Sequence, residues 1–274
     1  MTVDPIQPWL TRWRLTPDGA AFSTRFGSRL APVRAADGEA AMLKLAGHPE
    51  EVGGGLLMAW WAGDGAARVL EHEGDAILLE RLDGSRSLAA MALGGQDDEA
   101  TRVLCAVAAK LHAPRPAPHP PSLVPLEVWF KSLFETAARD GGVFTRAEPI
   151  ARTLLADQRE PVVLHGDLHH DNVLDGGPRG WLAIDPKGLI GERGFEYANL
   201  FRNPTAELAL TPGRMHRQAE IVAREAELEP RRLLQWIFVY AALGAAWSAQ
   251  SGHDPKPGRA IAEMAEGALA SGPR

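Results

Sequence analysis

Pro161-Val162-Val163-Leu164-His165-Gly166-Asp167-Leu168-His169-His170-Asp171-Asn172-Val173-Leu174 reads as an apolar, β-branched strand that breaks at a glycine, delivers an aspartate, and resumes as a second short apolar run after an asparagine. Thirteen residues beyond Asn172, Asp185 closes another strand-like stretch, Trp181-Leu182-Ala183-Ile184. Strand ends and the loop between them thus offer three oxygen-bearing groups: Asp167, Asn172 and Asp185. Phosphoryl transfer from a nucleotide needs that set. One aspartate orients the attacking hydroxyl and takes its proton, while an asparagine and a second aspartate hold the magnesium that bridges the phosphates.

The interval from Asp167 to Asn172, with Leu168 after the aspartate, is that of the H-R-D-L-x-x-x-N loop of protein kinases. Together with Gly180-Trp181-Leu182-Ala183-Ile184-Asp185-Pro186-Lys187-Gly188-Leu189-Ile190-Gly191-Glu192-Arg193-Gly194-Phe195, the stretch 165–203 resembles the aminoglycoside phosphotransferases. Within them it is most similar to the branch of streptomycin 6-phosphotransferases and hydroxyurea phosphotransferases. The resemblance implies an α+β, protein-kinase-like, two-lobed fold, with a small antiparallel sheet in residues 1–83 and a mainly helical lobe in residues 84–274. It implies ATP and Mg2+ as cofactors, Asp167 as catalytic base, and Asn172 and Asp185 as metal ligands. It also implies that Glu196 braces the loops of the site from behind. The expected reaction is O-phosphorylation of streptomycin, conferring resistance, or phosphorylation of hydroxyurea or a small metabolite by the same machinery.

Upstream, Asp37-Gly38 is a tight hairpin signal between strand-like Leu30 to Arg34 and Ala40 to Leu45. In the latter, Met42-Leu43-Lys44-Leu45 puts a lysine into an apolar strand, where an unpaired ammonium would be costly to bury. The Lys44 amine therefore reaches nucleotide phosphates and a helix glutamate, or alternates out to solvent from an edge strand. A helix is expected over Pro49 to Ala62, and of its early acids, Glu50 and Glu51, Glu51 is the favoured partner. Phe26-Gly27-Ser28-Arg29 would be the turn above the phosphates, with Ser28 touching the nucleotide. The backbone of Glu80 to Leu82 would bind adenine, and Asp83 to Ser87 would flex between lobes. Lys187 stands where protein kinases have glycine and would add positive charge near the transferred group.

Beyond residue 87 the periodicity predicts helices. One begins at Asp97 or Asp98 and runs to His112. Another carries Leu126, Trp129, Phe130, Leu133 and Phe134, and a third starts from a capping box at Thr145 and Glu148. Asp140, Glu196, Glu135 and Asp254 are the carboxylates available to a cationic acceptor. The net charge of −6 disfavours a nucleic-acid partner, and the single cysteine, Cys105, rules out an intramolecular disulfide. The apolar run from Leu233 to Ala249 is shorter than the roughly 20 residues that span a bilayer, and reads as a core helix of a cytoplasmic protein. His165, Asp167, His169, His170 and Asp171 also permit a metal-dependent hydrolase, and a kinase fold serving only as a binding module is the third reading.

Overall fold

The computed structural model describes residues 4–24, 27–82 and 84–271, without the side chains of residues 49 and 50. Phe26, Asp83 and the Glu50 carboxylate, all named above, lie outside the described residues. The chain begins with a helix the sequence reading did not foresee, α1 (Gln7–Arg12). It continues as β1 (Thr16–Pro17), β2 (Phe22–Ser23), β3 (Arg29–Arg34) and β4 (Ala40–Leu45), then α2 (Pro49–Trp61), β5 (Val69–Glu73) and β6 (Ala76–Glu80). The strands form one antiparallel sheet in the order β1-β3-β4-β6-β5, with β2 beside β3.

The remainder is mainly helical. α3 (Leu88–Met91) passes through a π-helical turn into α4 (Asp97–His112). After β7 (Val124–Pro125) come α5 (Leu126–Trp129), α6 (Lys131–Asp140) and α7 (Val143–Ala156). Short strands β8 (Pro161–Leu164), β9 (Val173–Asp175), β10 (Trp181–Ala183) and β11 (Leu189–Glu192) carry the site. The chain closes with α8 (Gly194–Ala198), α9 (Ala206–Ala209), α10 (Arg214–Glu225), α11 (Pro230–Gln250) and α12 (Lys256–Ser271). This is the protein-kinase-like fold.

The expected capping box is absent. Gly142 precedes the first turn of α7, Thr145 lies inside the helix, and Glu148 accepts from Arg152 one turn on. The Leu126–Phe134 stretch is two helices, kinked at Phe130, whose ring packs on Phe195 and Trp236.

Two apolar clusters hold the molecule together. One lies on a single face of the sheet, where Val33, Ala41, Leu43 and Leu78 meet Ile6 and Leu15. The other joins Leu57, Met58 and Trp61 of α2 to the helices around α11, whose middle turns are buried all round. Among the described residues no helix is long and apolar enough to cross a membrane.

Candidate active site

β8 ends at Leu164, paired with Leu189 of β11, and the chain turns sharply through His165 and Gly166. Gly166 has φ +82°, and a Cβ there would lie 2.6 Å from Leu189 Cγ, so the turn requires glycine. Glu196 of α8 sits behind it, 1% exposed, and accepts from the N–H groups of His165 (2.6 Å) and Gly166 (2.9 Å). His112 Nε2 lies 3.2 Å from the same carboxylate. Burial works against the Glu196 charge, but His112 and these amides outweigh it and hold its pKa below the ordinary glutamate value.

The His165 ring ties the turn to the segment before Asp185. Its Nε2 donates to the carbonyl of Ile184 (2.8 Å) and its Nδ1 accepts from the N–H of Asp167 (3.2 Å). One donor and one acceptor make it the neutral tautomer, and burial lowers its pKa accordingly. The N–H of Lys187 donates to the His165 carbonyl at 2.7 Å, closing the loop pair from the other side.

Six side chains from remote parts of the sequence, Lys44, Glu51, Asp167, Asn172, Asp185 and Lys187, meet in front of this turn. Lys44 of β4 forms ion pairs with Glu51 of α2 at 3.0 Å and with the Asp185 carboxylate. Burial opposes the Lys44 charge, yet the two acids more than offset it and raise its pKa. Asp185, at φ +59°, keeps its pKa below the carboxylate norm despite burial, because Lys44 and Lys187 face it. Lys187 Nζ stands between the two aspartates, 3.8 Å from Asp185 Oδ2 and 3.9 Å from Asp167 Oδ2. Asn172 Nδ2 donates to the carbonyl of Asp167 at 2.9 Å and approaches its Oδ2 at 3.3 Å.

The profile of a family described as "Aminoglycoside/hydroxyurea antibiotic resistance kinase" matches residues 12–252. A streptomycin 3''-kinase of Klebsiella pneumoniae is 49% identical over 266 residues, covering 95% of this chain and 98% of the relative. The chain belongs to this kinase family. A streptomycin 6-kinase of Streptomyces griseus is 33% identical, covering 88% of this chain and 81% of its own. Among solved structures, a thermostable mutant of aminoglycoside phosphotransferase APH(4)-Ia, in a ternary complex with ADP and hygromycin B, superposes with a TM-score of 0.65. That match is 14% identical and covers 98% of this chain and 97% of that one, so it speaks to the fold alone.

As a member of this kinase family the chain is a phosphotransferase, and not every expected contact is where the motifs suggested. Ser28 does not offer its hydroxyl to the cleft: it is buried, and its Oγ is 2.7 and 2.8 Å from the two oxygens of Glu51. Its hydroxyl instead meets the acid that pairs with Lys44. The N–H of Glu80 donates to the Arg68 carbonyl, and its carboxylate is taken by Arg68 and Arg179. The N–H of Leu82, in contrast, meets no acceptor among the described residues. Of the carboxylates considered for a cationic acceptor, Glu196 is behind the loop. Asp140 pairs with Arg139 (2.6 Å), exposed Glu135 with Lys131 (3.6 Å), and exposed Asp254 accepts from the N–H of Lys256 (3.0 Å).

The donor set suits magnesium. Among the described residues no donor reaches the amide oxygen of Asn172, and the other oxygens at hand belong to Asp185 and Asp167. Mg2+ takes oxygen ligands and is held through one or two protein groups plus phosphates and water. A tightly held transition metal is a poorer fit, since among the described residues no group of three or more His, Cys, Asp and Glu side chains is arranged to hold one. His169 accepts from the N–H of Asp171, and His170 is buried with neither ring nitrogen bonded among the described residues.

Proposed function

We propose that this chain transfers the γ-phosphoryl group of ATP to a hydroxyl of streptomycin. The observation that carries the reading is the meeting of Lys44, Asp167, Asn172, Asp185 and Lys187 at the mouth of one glycine turn, in a chain of this family. Asp167 orients the acceptor hydroxyl and takes its proton as the oxygen–phosphorus bond forms and the bond to the ADP oxygen breaks. Lys44, kept protonated by Glu51 and Asp185, steadies the phosphates. Lys187, between the two aspartates, lies where charge develops on the transferred group. Asn172 and Asp185 would hold Mg2+, which neutralises phosphate charge when bound with the nucleotide. The work of the protein is positioning and charge compensation, because the transition state is loose.

The adenine would meet the N–H of Leu82. The setting is cytoplasmic, where ATP is available. The 49% identity to a 3''-kinase supports the 3'' hydroxyl over the 6 hydroxyl suggested by the motif resemblance. Hydroxyurea, named in the family description, is the second reading.

The test is a panel of streptomycin, other aminoglycosides, hydroxyurea and small alcohols, assayed for ADP release with Mg-ATP. Phosphorus and proton NMR of the product identifies the modified hydroxyl. Streptomycin-dependent turnover that vanishes in Asp167→Asn is expected. Turnover on hydroxyurea but not streptomycin would replace the acceptor, and an active Asp167→Asn would overturn the mechanism.

A further inference from the structure

Asp167 is held from a direction that no sequence motif announces. Its Oδ1 accepts from Nδ2 of Asn199 at 2.9 Å, with His169 Nε2 farther off at 3.9 Å. Its Oδ2 is the oxygen facing Asn172 and Lys187. Asn199 begins the 3-10 turn Asn199–Arg202 after α8 and is 5% exposed. Its amide can point only one way, because its own Oδ1 accepts from Nδ2 of Asn203 at 3.1 Å, and the same Nδ2 donates to the Asn199 carbonyl at 2.9 Å.

The carbonyl of Asn203 in turn accepts from Nη2 of Arg214 (3.0 Å) at the start of α10. Arg214 grips Asp97 of α4 through two bonds of 2.8 and 2.9 Å. Gln218 donates to Asp97 at 2.8 Å and accepts from Thr101 at 2.5 Å. Thr101, Gln218, Arg214 and Asp97 are all at most 5% exposed. An unbroken run of hydrogen bonds thus leads from the packed α4–α10 interface to one oxygen of Asp167. Such a run has few alternative arrangements, since turning any member leaves a buried polar group without a partner.

We infer that Asn199 is a positioning residue for the phosphotransfer: it fixes Oδ1 of Asp167 so that Oδ2 meets the acceptor hydroxyl, and Asn203, set by the Arg214–Asp97 pair, fixes Asn199. The inference rests on the proposed role of Asp167 as base. Asn199 need touch neither nucleotide nor acceptor. Losing it frees the carboxylate to rotate, so the defect belongs to the reacting state and not to binding.

The experiment compares Asn199→Ala, Asn203→Ala and the double variant, with Asp167→Asn alongside, in steady-state kinetics and thermal melting. A hydrogen bond to a charged group is worth about tenfold to a hundredfold in rate. Asn199→Ala should lose that much kcat with KM for ATP and acceptor within about twofold, while melting only a few degrees below wild type. Asn203→Ala should lose less, and the double variant no more than Asn199→Ala alone, because both act through one bond. Wild-type kcat in Asn199→Ala, a defect confined to KM, or additive losses would overturn the inference. If Asn199→Ala does not fold, Asn203→Ala decides: reduced kcat at unchanged KM supports the relay, and wild-type kcat overturns it. An active Asp167→Asn would instead sink the underlying reading of the base, a result distinct from all of these.

Discussion

Gly53-Gly54-Gly55 in α2 offers three adjacent alanine substitutions with different expected outcomes. In the middle of a helix each glycine costs about 1 kcal/mol relative to alanine, so propensity alone would favour replacing all three. At Gly53 a Cβ would meet nothing closer than Ser122 at 3.8 Å, an ordinary contact. Gly53→Ala should therefore stabilise by about 1 kcal/mol, which is roughly 2 °C in Tm for a chain of this size. At Gly54 a Cβ would lie 2.3 Å from the carbonyl oxygen of Pro186, next to Asp185, where contacts below 3.0 Å do not occur. Helix and loop must then part by about 0.7 Å, and overpacking of this kind costs about 1–3 kcal/mol. The propensity gain offsets part of that, leaving Gly54→Ala between neutral and about 2 kcal/mol destabilised. The larger effect is on activity, because the shift moves Glu51, on the same helix, relative to the Lys44–Asp185 pair. A displacement approaching 1 Å costs up to about a hundredfold, so kcat/KM should fall by about 10- to 100-fold. At Gly55 the neighbour is the end of the His72 side chain at 2.9 Å, which can rotate, and Gly55→Ala should be mild. Differential scanning fluorimetry and ADP-release kinetics on the three variants suffice. If Gly54→Ala melts as high as Gly53→Ala and turns over like wild type, the close approach of α2 to Pro186 is not what the glycine is for.

Glu196→Gln keeps the shape but removes the charge that collects two backbone amides and His112, and should lower kcat at least tenfold while destabilising by about 1–3 kcal/mol. Chemical denaturation with kinetics on the folded variant separates the two effects. His170 is buried with neither ring nitrogen bonded among the described residues, and desolvation with the nearby Arg214 lowers its pKa from 6.5 to about 3. The unfolded chain binds the proton and the folded one does not, so stability is full above pH 6.5 and falls as pH drops from there toward 3. At pH 5 that residue alone accounts for about 2 kcal/mol, and denaturant titrations of His170→Leu should show a correspondingly flatter acid limb. Burial pushes the Cys105 thiol up to about 12, so it should resist iodoacetamide in the native protein and react fully once unfolded, as read by mass spectrometry.

The gathering of the candidate site was legible where it is written locally. Asp167, Asn172 and Asp185 sit at fixed short intervals on strand ends, and the structure brings them to one place. Lys44 stood out because an ammonium in an apolar strand requires a partner, and it has two. The hairpin at Gly38 was legible too, the glycine having positive φ between paired strands. What failed were patterns with several physical outcomes. Thr145 and Glu148 have capping-box spacing, but a helix begun at Val143 gives the glutamate to Arg152 instead. Ser28 looked like a phosphate contact because a hydroxyl in a turn carries no sign of where it points. The relay from Asp97 to Asn199 was missed because its members are scattered across α4, the 3-10 turn after α8, and α10. One signal was available: Asp97 falls on the same helical face as Ala100, Thr101 and Leu104, and an acid in a buried stripe demands a buried cation.

The way α2 is fastened bears on how the nucleotide cleft opens. Its last residue, Trp61, donates from Nε1 to the carbonyl of Leu111 at 3.2 Å and stacks on His165, and just beyond it Ala67 and Gly65 bond to Ala183. That end is anchored to the large body, which makes it a fulcrum. Glu51 lies ten residues away, about 15 Å along the axis at 1.5 Å per residue. A tilt of only 10° about Trp61 would swing Glu51 through about 2.6 Å, enough to break its 3.0 Å pairing with Lys44. The helix is in effect a lever: a small tilt about its anchored end decides whether one ion pair, that of Lys44 with Glu51, is made or lost.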